Sequence, residues 1–516
     1  MNLSDYVVNT LYEHGIKEIF LLPGGGCMYL VDSVGRHDRM KFVCNLHEQA
    51  SAIAAEAYAQ YTNNLGACLV TTGPGGTNAV TGVAGAYLDS TPCIFISGQV
   101  KRADLKRTPE QRQMGPQEID IINIVKSITK YAVTVTDPSE IRFHMEKAIF
   151  LAKSGRPGPV WIDIPLDVQF ADIDVANLRG FYFDGPKAPS IDPGIMDEII
   201  YLLNNAKRPA ILAGNGIRLS KSGEMFRSMA NKMGIPVLCT WKTIDFFSED
   251  DPLYCGRPGA IGQRGANLIQ QNADFLMCIG ARLDTGQTAF NIQKFGEKAQ
   301  KVIVDIDGEE LSKFKETSAL LVQADASDFL SALFTRLSDI ANPKAWQPWL
   351  VRAKNVYKKY PVIEKEAQRK DQNVIDLYAL MDVLSDLLNE NDLIVPGSSG
   401  TCSEVFLQAF RIKHGQRALN TPSLGSMGFG LPASIGACVA SGKRRTICIN
   451  GDGGLMHNIQ ELETLKRLCL PIKLFVLNNN GYGSIVATQK SFFNGRLIAS
   501  HPDGGLTIPS FQSLAN

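Results

Sequence analysis

The residues whose types and spacing could do chemistry are densest in RTICINGDGGLMHNIQELETLKRLCLPIKLFVLNNNGYG. An apolar run ends in Gly451-Asp452-Gly453-Gly454, a helical pattern follows, and a second apolar run, KLFVL, ends in Asn478-Asn479-Asn480. Two strands joined by one crossover helix bring both polar clusters to neighbouring strand ends. A carboxylate and an amide oxygen converging there suit a hard divalent cation such as magnesium, which keeps few protein ligands and completes its octahedron with phosphate oxygens and water. The glycines let backbone N–H groups approach a diphosphate, helped by the helix N-terminus. Each cluster alone is also common turn chemistry. The pair says more, because Asp452 and Asn479 stand 27 residues apart, the length of a strand–helix–strand unit.

Such clusters need a parallel sheet beneath them, and the chain supplies three. KEIFLL, KFVCNL, ACLVTTG, CIFISG and PVWIDIP alternate with helical patterns over 1–170. PAILAG, PVLCT, FLMCIG and KVIVDID do so in a second block, and DLIVPG, RTICIN and KLFVLNNN in a third. The fold class expected is α/β, with three doubly wound parallel-sheet domains over 1–170, 190–342 and 371–516. An irregular stretch around 171–192 reads as a linker over the surface, and ANPKAWQPW with a charged helical segment to about 370 reads as a second connector. Ligands of open sheets sit at carboxyl ends of strands, so the glycine-rich strand exits are where chemistry is expected.

The 516 residues agree with roughly three domains and exclude a small binding module or a disulfide-stapled miniprotein. Lys plus Arg and Asp plus Glu both number 52, so no charge excess suggests nucleic acid or an anionic membrane as a partner. Eleven cysteines are scattered singly without a C-x-x-C pair, which reads as reduced thiols in a cytoplasmic protein. The N-terminus reads as an amphipathic helix running into a strand rather than as a secretion signal, and no apolar run approaches membrane-spanning length.

GDG followed by NN resembles the signature of thiamine diphosphate (ThDP) enzymes. NLHEQASAIAAEAYA, LVTTGPGGTNAVTGVAGAYLDSTPCIFISGQV, SGRPGPVWIDIPLDVQ and SLGSMGFGLPASIGA resemble the large, catalytic subunit of acetolactate synthase and its relatives. That resemblance covers nearly the whole chain and implies a pyrimidine-binding, a central and a diphosphate-binding domain in this order. The cofactor would lie between the pyrimidine domain of one subunit and the diphosphate domain of another, giving a homodimer or a tetramer. Asp452, Asn479 and Gly481 would hold Mg2+. Gly451, Gly453, Gly454, Tyr482, Gly400, Thr401 and Ser426 would join the cofactor site.

Glu48, after KFVCNL in His47-Glu48-Gln49, matches the family glutamate that hydrogen-bonds the aminopyrimidine ring. A carboxyl proton shared with that ring favours the imino tautomer, whose nitrogen removes the proton from the thiazolium carbon. A glutamate favoured by a helix N-terminus is the plainer alternative. Met427, between Gly425 and Gly430, matches the apolar residue that props the cofactor in its bent shape. The loop with Pro74 and Asn78, the loop with Gly25, and Gln117 match segments beside the reacting end in relatives. The chemistry implied is decarboxylation of pyruvate and transfer of the two-carbon unit to a second carbonyl compound, with acetolactate as the default product.

Several positions depart from the family pattern. Biosynthetic relatives carry a tryptophan nine residues after the metal-binding asparagine, where this chain has Thr488. The family's Gly-Gln-His is Gly400-Thr401-Cys402 here. SFFNGRLIASHPDGGLTIPSF is closer to acetolactate-synthase-like proteins found with surface-polysaccharide genes, some of which extend a keto-sugar nucleotide. A carboligase of that kind, a non-catalytic ThDP-binding homologue and an FAD-dependent pyruvate oxidase therefore stay as alternatives. FAD-binding relatives place the dinucleotide across Arg156, Gly214 and Gly216, the 256–267 segment, Arg282 with Asp284, and Asp305 with Asp325. This chain has each, yet the family run Arg-Phe-Asp-Asp-Arg is reduced to Arg282-Leu283-Asp284-Thr285-Gly286, so FAD binding and a domain kept without flavin both stay open. Relatives continue beyond the point corresponding to Asn516, and the expectation is either a truncated sequence or a short subfamily.

Overall fold

Strands fully covered on both faces form the centres of three separate sheets in the computed structural model, which describes residues 1–185, 191–363 and 374–515. The first sheet contains β1 (Glu18–Leu21), β2 (Lys41–Cys44), β3 (Gly66–Val70), β4 (Cys93–Gln99), β5 (Tyr131–Thr134) and β6 (Val160–Pro165), in the order β2-β1-β3-β4-β6-β5. The second contains β7 (Pro209–Ala213), β8 (Val237–Cys239), β9 (Phe275–Ile279), β10 (Gln300–Asp305) and β11 (Leu320–Gln323), in the order β11-β10-β9-β7-β8. The third contains β12 (Leu393–Pro396), β13 (Arg417–Ala418), β14 (Thr446–Gly451) and β15 (Ile472–Leu477), in the order β13-β12-β14-β15. Every ladder is parallel, as helical crossovers require. Boundaries expected at 190 and 371 lie outside the described residues.

The chain gathers into two compact units. One comprises Met1–Asp184, Asp392–Ser403 and Arg417–Asn516, and the other Gly185–Asn391 and Glu404–Gln416. Within the first unit the first and third sheets meet through small residues. The alanine-rich helix Glu48–Thr62 packs on the helices Pro74–Leu88 and Gly430–Ala440 so closely that a Cβ at Gly436 would stand 2.1 Å from the Ala54 carbonyl oxygen. Their shared core joins Ala55, Val83 and Trp161 to Ile435, Cys448 and Leu455.

Both irregular stretches turn out to be attached to their neighbours. Up to 185 the first linker stays on the N-terminal sheet: Ile173 donates to the Met1 carbonyl, and Phe181 lies ring to ring with Phe143 and Phe150. The expected second connector holds a helix, Gln347–Lys359, whose entry is pinned into the central core by the indoles of Trp346 and Trp349, donating to the carbonyls of Ala206 and Pro209. All eleven cysteines are free thiols, and among the described residues no helix is long and apolar enough to cross a membrane.

Candidate active site

At the carboxyl ends of β14 and β15 one carboxylate ties the two strands together. Asp452 opens the short helix Asp452–Met456 and is 1% exposed. Its Oδ1 accepts the Gly453 N–H at 2.8 Å, and its Oδ2 accepts the N–H groups of Asn479 and Gly481, each at 3.0 Å. Three N–H bonds leave a two-oxygen carboxylate with about one acceptor direction. That residual capacity, beside an exposed asparagine amide, is a donor set suited to a hard cation.

The surrounding glycines make room for this arrangement. A Cβ at Gly453 would come within 2.5 Å of the Tyr482 ring, one at Gly481 within 2.1 Å of the Ser500 carbonyl oxygen, and one at Gly483 within 2.7 Å of the Asn479 amide. Gly400, with φ +65°, brings the β12 exit against the Ser484 hydroxyl, and Thr401 then opens the helix Thr401–Ala409. Gly451 faces open space, while Gly454 lies beside the Asn450 side chain. Ser426 and the exposed Met427 sit on a loop between Gly425 (φ +63°) and Gly428 (φ +90°). Cys402 is buried and donates to the Ser399 carbonyl, and burial raises its thiol pKa.

A second group forms at the carboxyl ends of the first sheet. Glu48 is the first residue of its helix, 7% exposed, and its Oε2 accepts from the Asn78 amide at 3.0 Å. Gly75 lies on the side of Oε1, where a Cβ would still stand 3.7 Å away. Pro74 starts the helix that carries Asn78. Thr71 Oγ1 accepts the Gly26 N–H at 3.1 Å, drawing in the loop that holds Gly25. Gly25 itself lines an open pocket of about 540 Å³ with Pro23, Gly24, Met28, Val31 and Asp32. Gly73 (φ +64°) turns its missing side chain to the Gln117 carbonyl, and Gln117 is exposed with φ +64°. Glu48 and Asn78 thus touch directly, and Gly25, Pro74 and Gln117 reach the same sheet edge on adjoining loops. Asp452, Asn479, Gly481, Tyr482 and Gly400 form the other group.

Beneath the first group lies a buried polar network that the apolar look of its strands conceals. Asp163 on β6 accepts from Ser97 Oγ at 2.5 Å, Thr134 Oγ1 at 3.0 Å and Gln99 Nε2 at 3.2 Å. Burial pushes its carboxyl up to about 7 against the opposing pull of these hydrogen bonds. Gln99 Oε1 in turn accepts from Thr72 Oγ1, the residue before Gly73. Asn450 was likewise not singled out: it is buried at the end of β14, near Gly397, Gly430 and Gly454, and its amide nitrogen has no hydrogen-bond partner. A polar residue closing an apolar strand was the available signal for it.

The residues considered for FAD are employed otherwise. Arg156, in the first unit, donates to Ser90 Oγ at 2.9 Å. Gly214 and Gly216 lie against Gly280, where a Cβ on either would come within 2.2–2.7 Å of its backbone. Burial opposes ionisation of Asp284, but the paired Arg282 guanidinium prevails and holds its carboxyl below the usual range. Asp305 accepts the Asp307 N–H, and Asp325 caps the helix Ala326–Thr335. The 256–267 segment is fastened to the loop after β9 by Ala260 N–H to Gly286 O and Gln287 Nε2 to Pro258 O, and the Trp241 ring packs beside Gly259 and Gly286.

Known proteins share this arrangement of domains. The description "thiamine pyrophosphate enzyme, N-terminal TPP binding domain" matches residues 1–124, the central domain of such enzymes matches 196–333, and their C-terminal TPP binding domain matches 398–516. The acetolactate synthase large subunit of Cyanidium caldarium is 32% identical, over 99% of this chain and 86% of that protein. The acetolactate synthase isozyme 2 large subunit of Escherichia coli K12 is 32% identical, over 98% and 88%. Acetolactate synthase 2, chloroplastic, of Zea mays is 33% identical, over 99% and 79%.

Proposed function

Because the chain belongs to the acetolactate synthase large-subunit family of thiamine diphosphate enzymes, we propose that it decarboxylates pyruvate and joins the two-carbon unit to a second 2-keto acid, giving acetolactate. The observation that carries this reading is the Asp452 carboxylate bonded to both strand ends, with acceptor capacity left for a cation.

Asp452, Asn479 and Gly481 would hold Mg2+, and the N–H groups around Gly451, Gly453 and Gly454 would receive the diphosphate, with Gly400, Thr401, Ser426 and Tyr482 around it. Thiamine diphosphate bound there would supply an acidic carbon as the nucleophile and an electron sink for the loss of carbon dioxide. Glu48 would share a proton with the aminopyrimidine, and its bond from Asn78 fixes the carboxyl's direction. Met427 would prop the cofactor from an exposed loop, and Gly25, Pro74 and Gln117 would border the reacting end. The two groups of residues that complete one site come from different copies of the chain, so the working form is at least a homodimer. A reducing compartment, the cytoplasm, suits its free thiols.

The central unit fits a flavin poorly. Its loops at the sheet edge are hydrogen-bonded to one another with Trp241 against both, and Arg282 is paired within its own loop. No step is assigned to FAD.

A second reading concerns the acceptor. Thr488 lies exposed on the helix Gly483–Phe492 with its hydroxyl turned back to the Ser484 carbonyl. A short side chain whose polar atom is satisfied locally leaves room for a larger acceptor, such as a keto-sugar nucleotide. Pyruvate with ThDP and Mg2+, with and without added FAD, tests both readings. Acetolactate formed without FAD is the expected result. Carbon dioxide without acetolactate moves the acceptor to the second reading, and neither product overturns the assignment.

A further inference from the structure

Glu461 is a buried carboxylate, 0% exposed, that the proposed chemistry does not use. Its hydrogen-bond donors are neutral: Asn45 Nδ2 and Leu46 N–H at 2.8 Å each, and Thr464 Oγ1 at 2.7 Å. Burying an ionised carboxylate costs several kcal/mol unless its lone pairs are filled. Here the filling comes largely from residues 45 and 46, more than four hundred positions away in sequence. Those residues belong to the short passage from β2 to the helix that Glu48 opens.

Neighbouring contacts act on the same passage. Arg467 donates to the Cys44 carbonyl. Asn458 Nδ2 donates to Gln49 Oε1 at 3.0 Å and to the Gly428 carbonyl at 2.9 Å. Positions 44, 45, 46 and 49 are therefore all held from the 458–467 segment, and Glu48 stands between the last two anchors.

We propose that Glu461, assisted by Asn458, is a positioning residue for Glu48: the C-terminal domain of a chain aims the carboxylate carried by the N-terminal domain of that same chain. The inference rests on the assignment of Glu48 as the proton-sharing group. Glu461→Gln keeps the shape but offers an amide where two donors already converge, so the clamp on residues 45 and 46 loosens.

The test uses the full-length protein with ThDP and Mg2+, measuring pyruvate turnover for Glu461→Gln, Glu48→Gln and the double variant, together with ThDP affinity and thermal midpoint. Glu461→Gln is expected to lower kcat about ten-fold or more with KM for pyruvate and ThDP affinity within about two-fold. In the Glu48→Gln background the same change should alter the residual rate less than about two-fold, because no carboxylate remains to be aimed. Equal losses in both backgrounds, or an unchanged kcat, overturn the proposal while leaving the Glu48 assignment standing. Full activity of Glu48→Gln overturns that assignment and the proposal together. If Glu461→Gln does not fold, Asn458→Ala serves instead, since it removes the Gln49 anchor and leaves the buried carboxylate satisfied. The same kcat-only, Glu48-dependent loss is expected, and its absence overturns the proposal.

Discussion

Asp452 bears two burdens, since the carboxylate suited to the cation also fastens β15 to β14. Asp452→Ala strips three N–H groups of a charged acceptor and should cost on the order of 3 kcal/mol of stability as well as magnesium-dependent ThDP binding. Urea unfolding and calorimetric titration of the cofactor check the two effects separately, and normal binding would remove the metal assignment. Glu48 carries no such structural burden beyond Asn78, so Glu48→Gln should drop turnover about a hundred-fold or more with ThDP affinity nearly unchanged. Asp163 makes a different kind of prediction. The folded protein holds its proton up to about pH 7, whereas the unfolded chain releases it near the ordinary 3.8, so the folded state loses ground as pH rises between these values. The stability of the native protein relative to Asp163→Asn should fall by at most about 1.4 kcal/mol per pH unit across that window and be level above it. Denaturation midpoints of both proteins from pH 4 to 8 measure this, and parallel curves would show that Asp163 does not titrate there. Asp452 and Asn479 were legible because each interrupts the end of an apolar run. Asp163, Asn458 and Glu461 were not, because their meaning lies in partners brought near only by the fold.

At the scale of elements, the strands at sheet centres are all legible in the sequence, because both faces are buried and the apolar run is unbroken. Among the edge strands β2, β8 and β15 were also read, while β5, β11 and β13, short and partly exposed, escaped notice because their patterns lack that density. The segment after 342 reads as a charged helical connector, and a helix does form there over Gln347–Lys359; what its charge concealed is that two indoles at its start fix it to the core. The contact between the helices Glu48–Thr62 and Gly430–Ala440 was legible only as a run of small residues. With the Ala54 carbonyl 2.1 Å from any Cβ at position 436, Gly436→Ala should destabilise by about 1–3 kcal/mol, measurable by urea unfolding. An unchanged midpoint would mean that the two helices can part without cost.

At the scale of the whole molecule, each chain carries a complete set of the two groups, Glu48 with Asn78 on one sheet and Asp452 with Asn479 on another. Which groups cooperate in one site decides how two defective chains behave together. If each site takes Glu48 from one copy and Asp452 from the other, a mixed dimer of Glu48→Gln and Asp452→Ala chains contains one site with both defects and one with neither. Random exchange makes half the dimers mixed, so two inactive preparations should regain about a quarter of the native turnover after joint dissociation and reassembly. A site built within a single chain gives the opposite answer, because every chain in the mixture then carries a defect and mixing restores nothing. The measurement is acetolactate formation by the reassembled mixture against each variant treated alone. It also bears on the clamp from Glu461, which joins a chain's C-terminal domain to its own Glu48. The restored site draws its Glu48 from the Asp452→Ala chain, so Glu461→Gln added to that chain should cut the recovery about ten-fold or more, whereas the same change in the Glu48→Gln chain should leave it intact.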